Sequence, residues 1–476
     1  MSFIDISEVD GTHWDVVIIG SGTAGAAAAI RAAQLGLRPL IIERGPIGGV
    51  SVNAGCIPAR MMLRIAEIYE EAGMAGLFGI LDFKGLRVNM RRVLERKKMI
   101  IEQIVKWFID TVFPSYDIKV LIGRAKLISP HTVKVGQARI DASNIVIATG
   151  SRPRIPEDVK GIKEALKSGF AITSDEALSL DEIPDTIVIM GGGAIGVEFA
   201  SLWSKLGSKV YIVEISSRLL PYLDSELGER LERIFKERGI RIFTSTRIVE
   251  IDAKNKTVKL ETGETIEASR VLIAIGRRPN VEDLGLDEVG VIYDSNGIKV
   301  DNRLRTNVPN IYAVGDVNGL YQLASVAKME GIVAAENIAG LDARMDYSLV
   351  PLGIFSEPEV ASVGISARQG DPRFMVSKFP LWVNYHAIAY WKPQGLAKIV
   401  VDRSTRELKG FHMIGLHATE VVNIAAIAIK LRLKVDDAIK MIFTYPTASE
   451  AFLNAFHVAS GLDIYLPRRK PINRMI

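Results

Sequence analysis

The chain has 476 residues, 48% hydrophobic and 24% charged, with a formal net charge of +4. That length exceeds what one hydrophobic core holds and implies two to four domains, and the composition is that of a soluble globular protein. So small a charge, with no basic stripe interleaved with aromatics, gives no reason to expect nucleic acid as a partner. A single cysteine, Cys56, excludes an intramolecular disulfide framework and fits a reducing, cytoplasmic compartment. The acidic groups in MSFIDISEVDGTHWD exclude an ordinary secretory signal, and no charge-free apolar run reaches about 18 residues, so no transmembrane segment is expected. The basic end, 467–474 (PRRKPINR), is expected to be a solvated tail, with contact to an anionic surface as the alternative.

In chain order, 15–20 (DVVIIG) is a buried parallel strand closed by glycine. Gly20, Gly22 and Gly25 form GxGxxG, and an alanine-rich helix follows to Leu35. Gly20 permits the tight turn, Gly22 lets backbone approach a pyrophosphate, and Gly25 lets helix and strand pack closely. The helix N-terminus offers free N–H groups and a positive dipole to phosphate. A second strand, 39–42, ends at Glu43, about twenty residues on, where a carboxylate can bind ribose hydroxyls. After the stretch around Cys56, 91–113 repeats apolar residues at helical spacing with Arg96, Lys97 and Lys98 on the other side, which predicts an amphipathic helix packed on the core. The runs 119–122 and 132–135 read as short antiparallel strands, and 144–150 (NIVIATG) as a buried strand.

The first pattern then repeats about 170 residues later. A strand at 187–190 leads into Gly191, Gly193 and Gly196, a helix runs to Leu206, and a strand at 209–213 ends at Glu214. Two such units predict two dinucleotide sites, most simply one for FAD and one for NAD(H), with NADP(H) as the alternative. Further on, 311–317 (IYAVGDV) is followed by a helix around 323–332. From Tyr347 the composition changes: 350–364, 396–401 and 410–415 read as antiparallel strands, and 420–431, 435–441 and 450–460 as helices. His386, His412, His417 and His457 have no metal-ligand spacing, and one cysteine cannot build a zinc or iron–sulfur cluster, so no metal is expected.

The stretch 48–60, GGVSVNAGCIPAR, together with the two GxGxxG units, IATGS, IGRRPN and VGDV, resembles the flavoprotein pyridine nucleotide-disulfide oxidoreductases, and dihydrolipoamide dehydrogenase in particular. The resemblance spans about residues 14–460. It implies an α/β fold of glutathione reductase type: two Rossmann-like dinucleotide-binding domains and a C-terminal α+β dimerisation domain. The implied boundaries are 1–152 with 281–346 for FAD, 153–280 for NAD(P), and 347–476 for the dimer interface. It further implies a cytoplasmic homodimer whose active site is completed by the partner's tail. Cofactor contacts carry over to Gly49, Ser51, Thr149, Gly150, Gly315, Asp316, Leu323 and Ala324 for FAD, beside Gly20, Gly22, Gly25 and Glu43. For the nicotinamide nucleotide they carry over to Gly191, Gly193, Gly196, Glu214 and Gly276. Arg60 stands where the family has lysine, and Glu198 is the acid that lysine pairs with near the flavin.

Two departures bear on the reaction. The family reads GGxCxNxGCxPSK, with a redox disulfide; here Ser51 replaces the first cysteine and only Cys56 remains, in what reads as one helical stretch. The family's tail reads His-Pro-Thr-x-x-Glu; here it is Tyr445-Pro446-Thr447-Ala448-Ser449-Glu450. Thiol–disulfide exchange needs a second, resolving thiol. It also needs a base near neutral pH, and a phenol, with a reference pKa of about 10 against about 6.5 for imidazole, is a poor one. Both changes strike the disulfide half-reaction and spare the NAD(P)H-to-flavin half. The expected catalytic set is Cys56, Tyr445, Glu450, Arg60 and Glu198. Cys56 reads three ways: a thiolate beside the flavin, a centre cycling through sulfenic acid, or a relic packed as a small apolar side chain.

The expected activity is hydride transfer from NADH to FAD and on to a small-molecule, non-disulfide acceptor such as a quinone. The alternatives are NAD(P) transhydrogenation, a single-cysteine peroxidase or oxidase, and a non-catalytic FAD-binding redox-sensing subunit. Soluble transhydrogenases share Tyr-Pro-Thr but keep their cysteine at the Ser51 position, whereas lipoamide dehydrogenase-type quinone reductases can keep the second cysteine alone.

Overall fold

The computed structural model describes residues 2–80 and 85–467; of the basic end, all but Pro467 lies outside the described residues. Contacts divide the chain into two compact units. One comprises Met1–Asp158, Leu166–Ile183 and Leu272–Asp346, the other Val159–Ala165, Pro184–Val271 and Tyr347–Ile476.

The first unit is built on a sheet that is parallel at its centre. Its order is Lys119–Ile122, Pro39–Glu43, His13–Ile19, Ala138–Ile147, with Ile311–Ala313 also pairing with Ala138–Ile147. His13–Ile19 pairs in parallel on both sides, so Val17 and Ile19 face one core and Val16 and Ile18 the other. A strand buried on both faces needs the unbroken apolar run seen in its sequence. Ala138–Ile147 is long enough to do two jobs: its first half is antiparallel to Thr132–Val135, its second half parallel to His13–Ile19. The helices Thr23–Gln34 and Ala324–Ile338 pack against each other over the sheet. Their backbones approach closely, since a Cβ on Gly331 would lie 2.2 Å from the Ala24 carbonyl oxygen. The alanine-rich composition of the first helix is what allows this spacing.

Lys119–Ile122 is parallel to Pro39–Glu43, not antiparallel, because the chain reaches it by a long helical crossover that returns it in the same sense. The helix expected over 91–113 is Met90–Trp107, followed by a π-helical turn at Phe108–Val112 and the short helix Phe113–Ser115. Only Met90 and Val93 of the long helix are fully buried. Lys97 is not on a solvated face: its Nζ donates to the Leu178 carbonyl at 2.6 Å, and partial burial lowers its pKa.

The second unit opens with three parallel strands, Thr186–Met190, Lys209–Val213 and Arg241–Phe243, in the order last, middle, first. The helices Ala194–Lys205 and Ser225–Glu237 accompany them. A small antiparallel sheet follows, Ile248–Asp252, Thr257–Leu260 and Thr265–Glu267. The C-terminal part is a five-stranded antiparallel sheet in the order Leu352–Ile354, Val360–Gly364, Leu408–Ile414, Leu396–Asp402, Phe374–Pro380. Ala418–Lys430 and Glu450–Ser460 pack on it around Phe411, Phe452 and Phe456. Phe374–Pro380 is a strand that the sequence reading missed; Lys378, Lys398 and Asp402 interrupt its apolar pattern and that of its partner. The helix expected over 435–441 is only Val435–Ala438. Lys398 is buried and forms a 2.7 Å ion pair with buried Asp224, which caps Ser225–Glu237; the five-stranded antiparallel sheet is thereby joined to that helix.

Candidate functional site

At the first glycine loop, a Cβ on Gly25 would lie 1.9 Å from the Gly20 carbonyl oxygen, and one on Gly49 would lie 2.7 Å from the Gly22 Cα. Strand, turn and helix therefore meet backbone to backbone, as a pyrophosphate cradle requires. Glu43 closes it. Its Oε2 accepts from the Ser21 N–H and hydroxyl, both at 2.7 Å, and its Oε1 accepts from the Gly45 N–H at 2.7 Å. The carboxylate is thus fixed beside the loop while keeping acceptor capacity for ribose hydroxyls.

The second loop repeats this arrangement. A Cβ on Gly196 would lie 1.9 Å from the Gly191 oxygen. Glu214 Oε2 accepts from Gly192 N–H at 2.6 Å and its Oε1 from Ser216 N–H at 2.7 Å. Gly193 caps the helix Ala194–Lys205. On that helix Glu198 accepts the Phe355 N–H at 2.9 Å. Residues of both loops fit a dinucleotide.

The remaining residues expected at the FAD gather in the first unit. Gly315 and Asp316 open a short 3-10 turn, Gly315–Asn318, pinned by the buried carboxylate of Glu330, which accepts from the Gly315 N–H at 2.6 Å. Burial raises the Asp316 carboxyl above its ordinary range, against the opposing pull of the Ser151 hydroxyl, which donates to it at 2.5 Å. Arg277 in turn donates to the Ser151 hydroxyl and carbonyl at 2.8 and 2.9 Å. Thr149 and Gly150 are clamped by Asn280: its side chain donates to the Thr149 carbonyl at 2.9 Å, and its N–H donates to the Gly150 carbonyl at 2.9 Å. Gly276, expected at the nicotinamide nucleotide rather than at FAD, also belongs to this unit and accepts the Arg154 N–H at 3.0 Å. Leu323 caps and Ala324 begins the helix Ala324–Ile338.

Ser51 and Cys56 do not share a helix, contrary to the sequence reading. Ser51 is half-buried in Gly49–Asn53, where the Asn53 amide donates to the Ile47 and Gly49 carbonyls and ends the turn. The backbone breaks at Ala54 and Gly55, and Cys56 starts a new helix, Cys56–Gly73, with Arg60 one turn on. Cys56 is exposed in the single chain. In the tail, Tyr445 is exposed and presents its ring edge-on to Tyr385 at 6.2 Å. Glu450 accepts the Thr447 N–H at 3.1 Å at the start of Glu450–Ser460. His386 lies 4.5 Å from Tyr390 and 5.6 Å from His417, ring to ring. Burial, with the neighbouring His417, lowers its pKa.

Sequence reasoning missed the linkage of Ser151, Arg277 and Asp316, the Glu330 anchor, and Tyr222, whose hydroxyl meets the second glycine loop. Only Glu330 carries a local signal, a lone acid inside the apolar run AKMEGIVAA.

Comparison with known proteins gives the family. The sequence pattern of the pyridine nucleotide-disulphide oxidoreductases matches residues 14–331, and that of their dimerisation domain residues 350–456. A dihydrolipoyl dehydrogenase of Bacillus subtilis (strain 168) is 36% identical over 479 residues, covering 95% of this chain and 99% of its own. One from Chlamydia muridarum is 38% identical over 463 residues, covering 95% and 98%. Among solved structures, LpdA from Mycobacterium tuberculosis superposes with a TM-score of 0.85 at 28% identity, covering 94% of this chain and 99% of its own. The HOCl-induced flavoprotein disulfide reductase RclA from Escherichia coli gives 0.83 at 26% identity, covering 94% and 100%. With two dinucleotide folds of the expected design and a matching C-terminal domain, the chain belongs to the pyridine nucleotide-disulphide oxidoreductase family, flavoprotein oxidoreductases that bind FAD and NAD(P)H.

Proposed function

We propose that this flavoenzyme takes hydride from NADH and delivers electrons to a small-molecule acceptor other than a disulfide, a quinone first among them. The observation that carries this is the lone thiol: Cys56 is the only cysteine in the chain, and the serine in the resolving position stands on a separate helix. Without a second sulfur no intramolecular disulfide can form or be resolved. In this reading residues 1–152 and 281–346 hold FAD, 153–280 hold the nicotinamide nucleotide, and 347–476 form a dimer interface. The first glycine loop, Glu43, Gly49, Ser51, Thr149, Gly150, Gly315, Asp316, Leu323 and Ala324 bind FAD, which when bound supplies the hydride-accepting and electron-donating chemistry. Gly191, Gly193, Gly196, Glu214 and Gly276 bind the nicotinamide nucleotide. Arg60 and Glu198 keep the charged roles of the family's lysine and acid. Tyr445 and Glu450 reach the second protomer's site, where the phenol supplies a hydrogen bond instead of a base. The compartment is the cytoplasm. Among the described residues no helix is long and apolar enough to cross a membrane.

Glu214 makes NADH the preferred donor. Two unit charges 4 Å apart repel by about 4 kcal/mol at an effective dielectric of 20, and solvent screening leaves roughly a ten- to hundredfold preference over NADPH. Arg218 donates to the Pro221 carbonyl and Arg277 to Ser151; both stay cationic, and with solvent they reduce the repulsion to that range.

The test is anaerobic stopped-flow. The flavin is reduced with NADH or NADPH, then mixed with quinones, NADP⁺, peroxide and lipoamide while its absorbance is followed. Quinone is expected to restore the oxidised spectrum at least about a hundredfold faster than lipoamide, equivalent to some 2.7 kcal/mol of barrier. Lipoamide matching quinone would refute the reading, and NADP⁺ or peroxide outpacing quinone would replace it with transhydrogenation or peroxide reduction.

A further inference from the structure

The phenol oxygen of Tyr222 lies 3.0 Å from the Ala194 nitrogen and accepts its N–H. Ala194 is the first residue of its helix, directly after the glycine loop, so its N–H has no partner within the helix. Such N–H groups are what a dinucleotide pyrophosphate takes at this kind of loop. A phosphate oxygen and the phenol oxygen thus compete for one donor.

Tyr222 is held there by its own segment. Leu220 donates its N–H to the Gly192 carbonyl at 3.0 Å and turns with a φ of +50°, and Leu223 N–H closes the turn on the Leu220 carbonyl at 3.0 Å. Leu219 and Leu220 are fully buried, and a Cβ on Gly192 would lie 2.6 Å from Leu219 Cδ2. The segment is therefore seated on the glycine loop, with Tyr222 carried outward on it, 56% exposed overall. Burial around the hydroxyl, with Glu198 and Glu214 nearby, pushes its pKa up to about 12, so it stays neutral in ordinary buffers. A neutral oxygen is a weaker acceptor partner than an anionic phosphate, whose hydrogen bonds are roughly twice as strong. At the first loop the segment after the acid instead brings Gly49 against Gly22, backbone to backbone.

We propose that Tyr222 is a latch on the exchangeable-nucleotide site: its phenol holds the Ala194 N–H, the incoming pyrophosphate displaces it, and the competition lowers affinity and eases release. At the first loop, which serves a resident cofactor, Gly49 stands against Gly22 where a side chain of this kind would come. This inference rests on assigning the second fold to the nicotinamide nucleotide.

The test is calorimetric titration of the FAD-loaded, full-length enzyme with ADP-ribose, which carries the pyrophosphate but undergoes no redox reaction. Tyr222→Phe is expected to bind about two- to tenfold more tightly than wild type, the factor one neutral hydrogen bond is worth. Tyr222→Ala, which removes the ring as well, is expected to tighten binding at least as much. Unchanged affinity in both variants would overturn the latch. Weaker binding in both would overturn it too, and would make the phenol a phosphate donor. A wild-type enzyme that retains FAD but binds no ADP-ribose would bring down the nucleotide assignment itself, a result distinct from either.

Discussion

Between Ser51 and Cys56 the backbone ends one helix and begins another, and the Asn53 amide, bonded to the Ile47 and Gly49 carbonyls, fixes that end. On the proposed reading, a hydroxyl at one position and a lone thiol at the other take the chemistry from the disulfide half-reaction and spare the nucleotide loops. Restoring both groups is the sharpest check at this scale. Ser51→Cys supplies the resolving sulfur, and Tyr445→His supplies a base whose reference pKa is about 6.5. Groups that act as a unit are non-additive, so the double variant is expected to oxidise dihydrolipoamide with NAD⁺ at least about tenfold faster than the sum of the single variants. Wild-type activity equal to that of the double variant would show that Cys56 works with a thiol from the substrate. A double variant that retains FAD but stays inactive would show that other residues, such as His386 and Tyr390, have reshaped the pocket.

Two strand–turn–helix elements, about 170 residues apart, are built to one plan down to the paired N–H groups that hold each terminal carboxylate. Because they belong to separate compact units, damage to each is expected to have its own signature. Gly25→Ala places a methyl 1.9 Å from the Gly20 oxygen, and Gly196→Ala places one 1.9 Å from the Gly191 oxygen. Neither backbone atom can yield without opening the turn, a steric cost that belongs with the large mutational effects of overpacked sites. Gly25→Ala is expected to purify with less than about half of its FAD, read from the ratio of flavin to protein absorbance. Gly196→Ala is expected to keep its FAD and to show a KM for NADH raised at least about tenfold, or some 1.4 kcal/mol in binding. Equal loss of FAD in both variants would mean that the second glycine supports the fold at large.

The C-terminal part of the chain matches the family's dimerisation domain over 350–456. The same part of the chain leaves Ile442 97%, Leu431 75% and Ile427 62% exposed. Within a domain of the dimerisation type, these apolar side chains are the candidates for the surface that a second copy would cover. A homodimer is therefore expected at twice the chain mass in light scattering. Ile442→Asp puts a charge where the interface would have to bury it, and is expected to shift the protein toward monomer while FAD stays bound. Loss of NADH:quinone turnover in that monomer would support a site completed by the partner's tail. Full turnover by a monomer would refute that completion.

What the sequence determined by itself is local in origin. Glycine spacing, the apolar run before it and the acid after it all fall within one strand–turn–helix unit, so both nucleotide folds were legible; the departures at Ser51 and Tyr445 were legible only against the motifs of the family the chain resembles. The tertiary structure decided whatever depends on partners far along the chain. Lys119–Ile122 is parallel only because its crossover returns it beside Pro39–Glu43. Phe374–Pro380 is a strand because it pairs with Leu396–Asp402, despite charges in both runs. Arg277 finds Ser151 across 126 positions, and Tyr222 finds Ala194 across 28. Periodicity reports which face of an element is buried, but it carries no information about which distant group will meet a given hydroxyl or N–H. Those meetings are set by topology.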